Sequence, residues 1–165
     1  SMFSTLEDKQ YIIINKLAYY LGDPERGDIV VFRPPVDHEK YYVKRVIGIG
    51  GDTVILQGGE VFVQPKGSTE LEKLPEPYLD PANAGQTYKH PPGSGDTSKV
   101  EYKVPEGQFL LLGDNRQGSQ DSRSFFSASG EPQPYVADDD IKGRVWFVAL
   151  PISKVHAFEP PQYGL

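Results

Sequence analysis

Residues 41–64 read YYVKRVIGIGGDTVILQGGEVFVQ. Three runs of β-branched and aromatic residues are set apart by glycines. Such side chains fit a pleated, half-buried surface, so each run reads as a strand. The first run closes at its glycines. The second and third are joined by Gly58 and Gly59, and a two-residue Gly-Gly link between strand runs reads as a tight hairpin. Working outward, "DIVVFR" (28–33) is another strand, stopped by Pro34 and Pro35, which cannot continue a central strand. "GQFLLLGD" (107–114) and "GRVWFVAL" (143–150) follow the same pattern, the latter stopped by Pro151. Helical signals are thin: one or two turns at "NKLAYYLG" (15–22) and a single turn opened at Asp138–Asp140. The expected fold class is mainly β, built from antiparallel sheets.

The middle of the chain differs. From about Pro65 to Tyr102 it is rich in Pro, Gly and small polar residues, as in "PEPYLDPANAGQTYKHPPGSGDTSK" (75–99), without sustained periodicity. This reads as a small β/loop lobe with mobile loops, inserted into a core. The expected division is a core of residues 1–52 and 105–165 and an inserted lobe of residues 53–104.

Composition narrows the function classes. The 165 residues carry a net charge of −6, which argues against nucleic acid as a partner. With no cysteine there is no disulfide, thiol nucleophile or zinc–thiolate site. His38, His90 and His156 lie far apart without ligand spacing, so neither a metal nor a cofactor is expected. No apolar run approaches the ~20 residues that cross a bilayer as a helix. The longest, "YIIINKLAYYL", is interrupted by Asn15 and Lys16.

Lys44 is the first residue that calls for chemistry. Side chains alternate along a strand, so Lys44 shares a face with Tyr42 and Val46, and Arg45 shares the other with Val43 and Ile47. Both faces are largely apolar. The bland reading is a lysine snorkelling from a strand end. The alternative is a buried lysine whose pKa falls until it is neutral and basic, able to take the proton of a serine hydroxyl without a histidine. The polar stretch "GDNRQGSQDSR" (113–123) follows an apolar strand and supplies hydroxyls, at Ser119 and Ser122, that can orient such an amine. It is open whether this stretch is a solvated turn or a site.

Four blocks, in order, resemble the bacterial type I signal peptidases. "SMFSTL" (1–6) resembles their Ser-Met-x-Pro-Thr-Leu block, with Ser4 where the family has proline. "RGDIVVF" (26–32) resembles their Arg-Gly-Asp strand. "YYVKRVIGIGGD" (41–52) resembles their Lys-Arg block. "GDNRQGSQDSR" resembles their Gly-Asp-Asn-x-x-x-Ser-x-Asp-Ser-Arg block. "GRVWFVALP" (143–151) is similar to their closing strand. The middle of the chain is not covered.

The resemblance implies a signal-peptidase-like β core and a serine endopeptidase acting through a Ser/Lys dyad and an acyl-enzyme. It implies Ser1 as nucleophile, Lys44 as general base and Ser119 as the hydroxyl that orients the lysine. Asp121 and Arg123 match a pair that shapes this loop, and Asp114 matches a structural carboxylate, a partner for Arg45. Met2, Tyr42 and Val43 match substrate-binding positions. The implied substrates are signal peptides of exported preproteins. The implied location is the bacterial cytoplasmic membrane, with the catalytic domain on its extracytoplasmic face and an anchor N-terminal to Ser1. Two alternatives stand beside this: an inactive relative or β-rich binding module, and a self-cleaving Ser/Lys repressor-type protease, for which no basic DNA-binding segment is visible.

Overall fold

The computed structural model describes Met2, Thr5 and residues 11–15, 22–90, 96–150 and 156–164, with backbone alone at 11–15, 146–150 and 156. Among these residues, strands form two antiparallel sheets. The larger contains Tyr11–Asn15 (β1), Ile29–Phe32 (β2), Tyr42–Ile49 (β3), Gln108–Leu112 (β8), Tyr135–Ala137 (β9) and Ile141–Leu150 (β10), with His156–Ala157 (β11) added to β10. Its order is β1-β10-β2-β3-β8-β9. The smaller contains Thr53–Gln57 (β4), Glu60–Gln64 (β5), Glu72–Lys73 (β6) and Val100–Lys103 (β7), in the order β6-β5-β4-β7. A single 3-10 turn occupies Asp138–Asp140, as the sequence suggests. The turns expected at "NKLAYYLG" fall on residues 16–21, outside the described residues.

Strand alternation sorts the core into clusters. Val30 and Phe32 of β2, Val46 of β3 and Phe109 and Leu111 of β8 cover one face of the large sheet with Phe125 and Val136. Ile29 and Val31 cover the other face with Met2 and Val145. Further along that second face, Ile47, Leu110 and Leu112 meet Val54, Leu56, Val61 and Val63 of the small sheet. The two sheets thus share one apolar core.

The Gly-Gly hairpin forms as its sequence dictates. Gln57 pairs with Glu60, and Gly58 and Gly59 have φ of 60° and 80°. Its turn is also a docking point, because Gly59 O accepts the Thr87 N–H at 2.9 Å. The 75–90 segment is therefore not the loose excursion its composition suggests. It is a chain of hydrogen-bonded turns, with Leu79 N donating to Glu76 O, Asn83 N to Asp80 O and Gln86 N to Asn83 O. β1 is a further difference. Residues 11–14 are aromatic and β-branched, a strand signal that the sequence reading above leaves unassigned, and the strand pairs with β10.

A Cβ on Gly59 would lie 1.9 Å from Gly85 O, whereas one on Gly58 meets nothing within 4 Å. Gly58→Ala should cost about 1 kcal/mol from its φ alone. Gly59→Ala should cost about 3 kcal/mol once overpacking is added. Urea-unfolding midpoints of the two variants check this, and equal losses would contradict the docking role of the turn.

Candidate active site

Lys44 sits in the middle of β3, opposite Val30 of β2, and is 3% exposed. This is a buried lysine, not one snorkelling from a strand end. Its Nζ lies 5.3 Å from the centre of the Tyr42 ring and donates to Val43 O at 3.2 Å. Its pKa is lowered to about 8: burial is the main cause, Asp121 and Asp114 pull the other way, and Arg123 adds to the lowering. An amine in this range is a competent base near neutral pH.

The next residue, Arg45, projects to the opposite face. Its Nε and Nη2 donate to the two carboxylate oxygens of Asp114 at 2.9 and 2.7 Å, and its Nη1 donates to Gly27 O at 2.9 Å. Asp114 also organises the start of the chain. Its Oδ2 accepts from the Thr5 hydroxyl, and its backbone N–H lies 3.4 Å from the Met2 thioether. Met2 is buried against Ile29, Val31 and Val145.

The 113–123 loop is knitted rather than solvated. Arg123 meets Asp121 through two parallel bonds, Nε to Oδ1 at 2.9 Å and Nη2 to Oδ2 at 2.7 Å. Both side chains are almost fully buried. Asp121 Oδ2 also accepts from Gly113 N, and Ser122 Oγ accepts from Leu111 N, so the loop is tied back onto β8. The remaining Nη1 of Arg123 donates to Tyr88 O and Arg116 O. These bonds hold the Asp121 pKa below its ordinary value, although burial alone would raise it.

The structure therefore brings Lys44, Arg45, Asp114, Asp121, Arg123 and Met2 into one region around β3 and the loop after β8. Ser1 lies outside the described residues. Ser119 departs from its expected partner: its hydroxyl is buried with no hydrogen bond, while Lys44 turns to Val43 O and the Tyr42 ring. A carbonyl and a π-face suit an ammonium, and both are supplied by the strand residues just before it. Tyr42 packs with Phe32 and Phe125 and donates its hydroxyl to Gln120, whereas Val43 lies on the opposite face near Met2. Sequence reasoning did not single out Thr5, Glu76, Tyr78, Thr87 or Tyr88. Of these, only "PEPYL" (75–79) carries a local cue, an acid between two prolines followed by an aromatic.

Comparison with known proteins bears on this arrangement. A family model described as signal peptidase, peptidase S26, matches residues 1–150. The chain belongs to the signal peptidase S26 family. Signal peptidase IB of Staphylococcus aureus is 34% identical over 172 aligned residues, covering 97% of this chain and 79% of the relative. Signal peptidase I T of Bacillus subtilis is 33% identical over 155, covering 94% and 72%. A crystal structure of a signal peptidase I from Enterococcus faecalis V583 aligns with a TM-score of 0.52 at 26% identity, over 74% of this chain and 97% of that one. This member of the S26 family is a hydrolase, a serine endopeptidase with a mainly antiparallel β fold.

The lowered pKa of Lys44 has a stability consequence. Its folded value of about 8 lies below the unfolded value of ~10.4, so between the two the unfolded chain binds more protons. Stability should rise with pH across that window, and below it the full cost applies, about 3 kcal/mol. Lys44→Met should therefore stabilise the protein at neutral pH, with the gain shrinking as pH rises from about 8 and lost above the unfolded pKa. Denaturant unfolding of both proteins at neutral and alkaline pH checks this, and a pH-independent difference would contradict it.

Proposed function

We propose that this protein removes N-terminal signal peptides from exported preproteins, with Ser1 as nucleophile and Lys44 as general base. The observation that carries the reading is Lys44, buried on β3 with its pKa lowered to about 8, one residue from the Arg45–Asp114 pair that holds Met2 and Thr5. Ser1 is joined to Met2, whose thioether meets Asp114, the partner of Arg45 on the strand that carries the base.

Neutral Lys44 accepts the Ser1 hydroxyl proton as Oγ bonds to the scissile carbonyl carbon. The resulting lysinium then returns that proton to the leaving amine as the C–N bond breaks, leaving an acyl-enzyme. Water attacks the ester by the same proton path and regenerates Ser1. By the family resemblance, Ser119 steadies the lysine during these transfers, and its buried hydroxyl, which makes no hydrogen bond here, supports that role. Tyr42 and Val43 project to opposite faces of β3, so an extended substrate along this strand meets them on different sides. The names of the relatives support signal peptides as substrates, and the family resemblance supports a membrane anchor N-terminal to Ser1, with catalysis on the extracytoplasmic face.

Cleavage of a membrane-presented precursor by the full-length protein tests the reading. The kcat/KM should rise with pH as Lys44 loses its proton, with a midpoint near 8. Ser1→Ala and Lys44→Met should both abolish cleavage, the latter without loss of fold. Persistent cleavage by Lys44→Met, or a profile flat from about pH 6 to about pH 9, would overturn the dyad.

A further inference from the structure

The "PEPYL" stretch of the inserted segment is not accounted for by the dyad, yet it reaches directly into the site's framework. Glu76 grips the buried Arg116 through both carboxylate oxygens, and Arg116 also donates to Gly113 O at 3.0 Å and Thr87 Oγ1 at 2.7 Å. Two residues on, the Tyr78 ring centre lies 3.8 Å from the Arg45 Cζ. The Tyr78 hydroxyl donates to Glu76 Oε2 at 2.8 Å and accepts from Tyr163 at 3.3 Å. The ring is thus fixed at its outer end by the inserted segment and the C-terminal tail, and its face is laid against a guanidinium of the core.

That face matters because of what holds Arg45 elsewhere. Asp114 and Gly27 take the hydrogen bonds around the edge of the guanidinium, which fix its direction within its own plane. In-plane bonds resist tilting poorly, whereas an aromatic face stacked on the plane resists it directly. A tilt of Arg45 would carry Asp114 with it through the two parallel bonds. Asp114 in turn meets the Thr5 hydroxyl and the Met2 thioether.

We propose that Tyr78 is a positioning residue for proteolysis: its ring sets the plane of Arg45, Arg45 sets Asp114, and Asp114 holds the Met2 and Thr5 segment that carries Ser1. This rests on Ser1 and Lys44 being the reacting pair. Because Lys44 and Arg45 are neighbours on β3, the relay references the nucleophile's segment to the same strand that carries the base.

The test is cleavage kinetics in the full-length protein, with melting temperatures alongside. Tyr78→Leu should lower kcat per folded molecule by about 10- to 100-fold, the scale of a misplacement near 1 Å, with KM little changed. Tyr78→Phe, which keeps the ring, should restore most of the turnover. Thr5→Val removes the hydroxyl at the far end of the relay and should lower kcat comparably. The double variant should lose less than the product of the two single losses, because both act on one relay. Wild-type kcat in folded Tyr78→Leu would overturn the proposal, as would multiplicative losses in the double variant. If Tyr78→Leu does not fold, Thr5→Val decides, and its unchanged kcat would overturn the relay. Lys44→Met separates the two levels of the argument. Cleavage by that variant overturns the dyad itself, whereas its inactivity beside full turnover in folded Tyr78→Leu overturns this inference alone.

Discussion

The buried Arg45–Asp114 pair is the constraint on which the rest of the site depends. Taking two charges out of water is costly, and the cost is offset only when the geometry is good and the remaining polar groups are satisfied. Here Nε, Nη1 and Nη2 of Arg45 and both oxygens of Asp114 find partners. Arg45 already faces Leu112 across the β3–β8 ladder, two residues before Asp114, and the pair extends that link to the segment around Met2, which no described ladder reaches. Moving Arg45 or Asp114 strands a charge away from water.

The same device recurs around the fold. Arg26 grips Asp52 through both oxygens, tying the turn before β2 to the glycine turn after β3. Arg116 meets Glu76 and Arg123 meets Asp121 in the same two-bond manner. The Arg116–Glu76 pair and the Arg123 bond to Tyr88 O run between the core and the segment from Glu76 to Tyr88. Such pairs contribute less to stability than an apolar core of equal volume, so their use here fits a need for registry. A guanidinium fork accepts its carboxylate in one orientation, whereas leucine against valine tolerates several.

This division explains which features are legible in the sequence. β2, β3, β8 and the Gly58-Gly59 hairpin follow from local alternation and turn chemistry, signals confined to a few adjacent residues. Lys44 stands out because an ammonium among Tyr42, Val43 and Val46 contradicts its surroundings, and Asp121 and Arg123 are close enough in sequence to be paired on sight. Glu76 and Arg116 lie 40 residues apart, and nothing around either names the other. Composition alone marks residues 75–90 as loop, because Pro, Gly and Asn favour turns whether those turns are free or docked. Short strands such as β6 and β11 owe their order to pairing, which local propensity does not report. Ser119 shows a different limit: the motif names its hydroxyl as the lysine's partner, yet that hydroxyl is buried without a hydrogen bond while the amine donates to Val43 O.

The acidic residues around Lys44 pose a problem that the ion pairs resolve. A carboxylate near a lysine favours the ammonium form, and both Asp121 and Asp114 pull its pKa upward. Without Arg123, the Asp121 charge would push the lysine pKa up, away from the range in which the amine serves as a base. Arg123 answers that field with a charge of opposite sign on the same loop and pushes the lysine pKa down again. With the two charges opposed, desolvation is left as the dominant influence, and desolvation favours the neutral amine. The loop thus carries its carboxylate to anchor Gly113 and its arginine to offset part of that carboxylate's pull on the lysine. A strand lysine can become a base here because the charges that shape its surroundings arrive already paired.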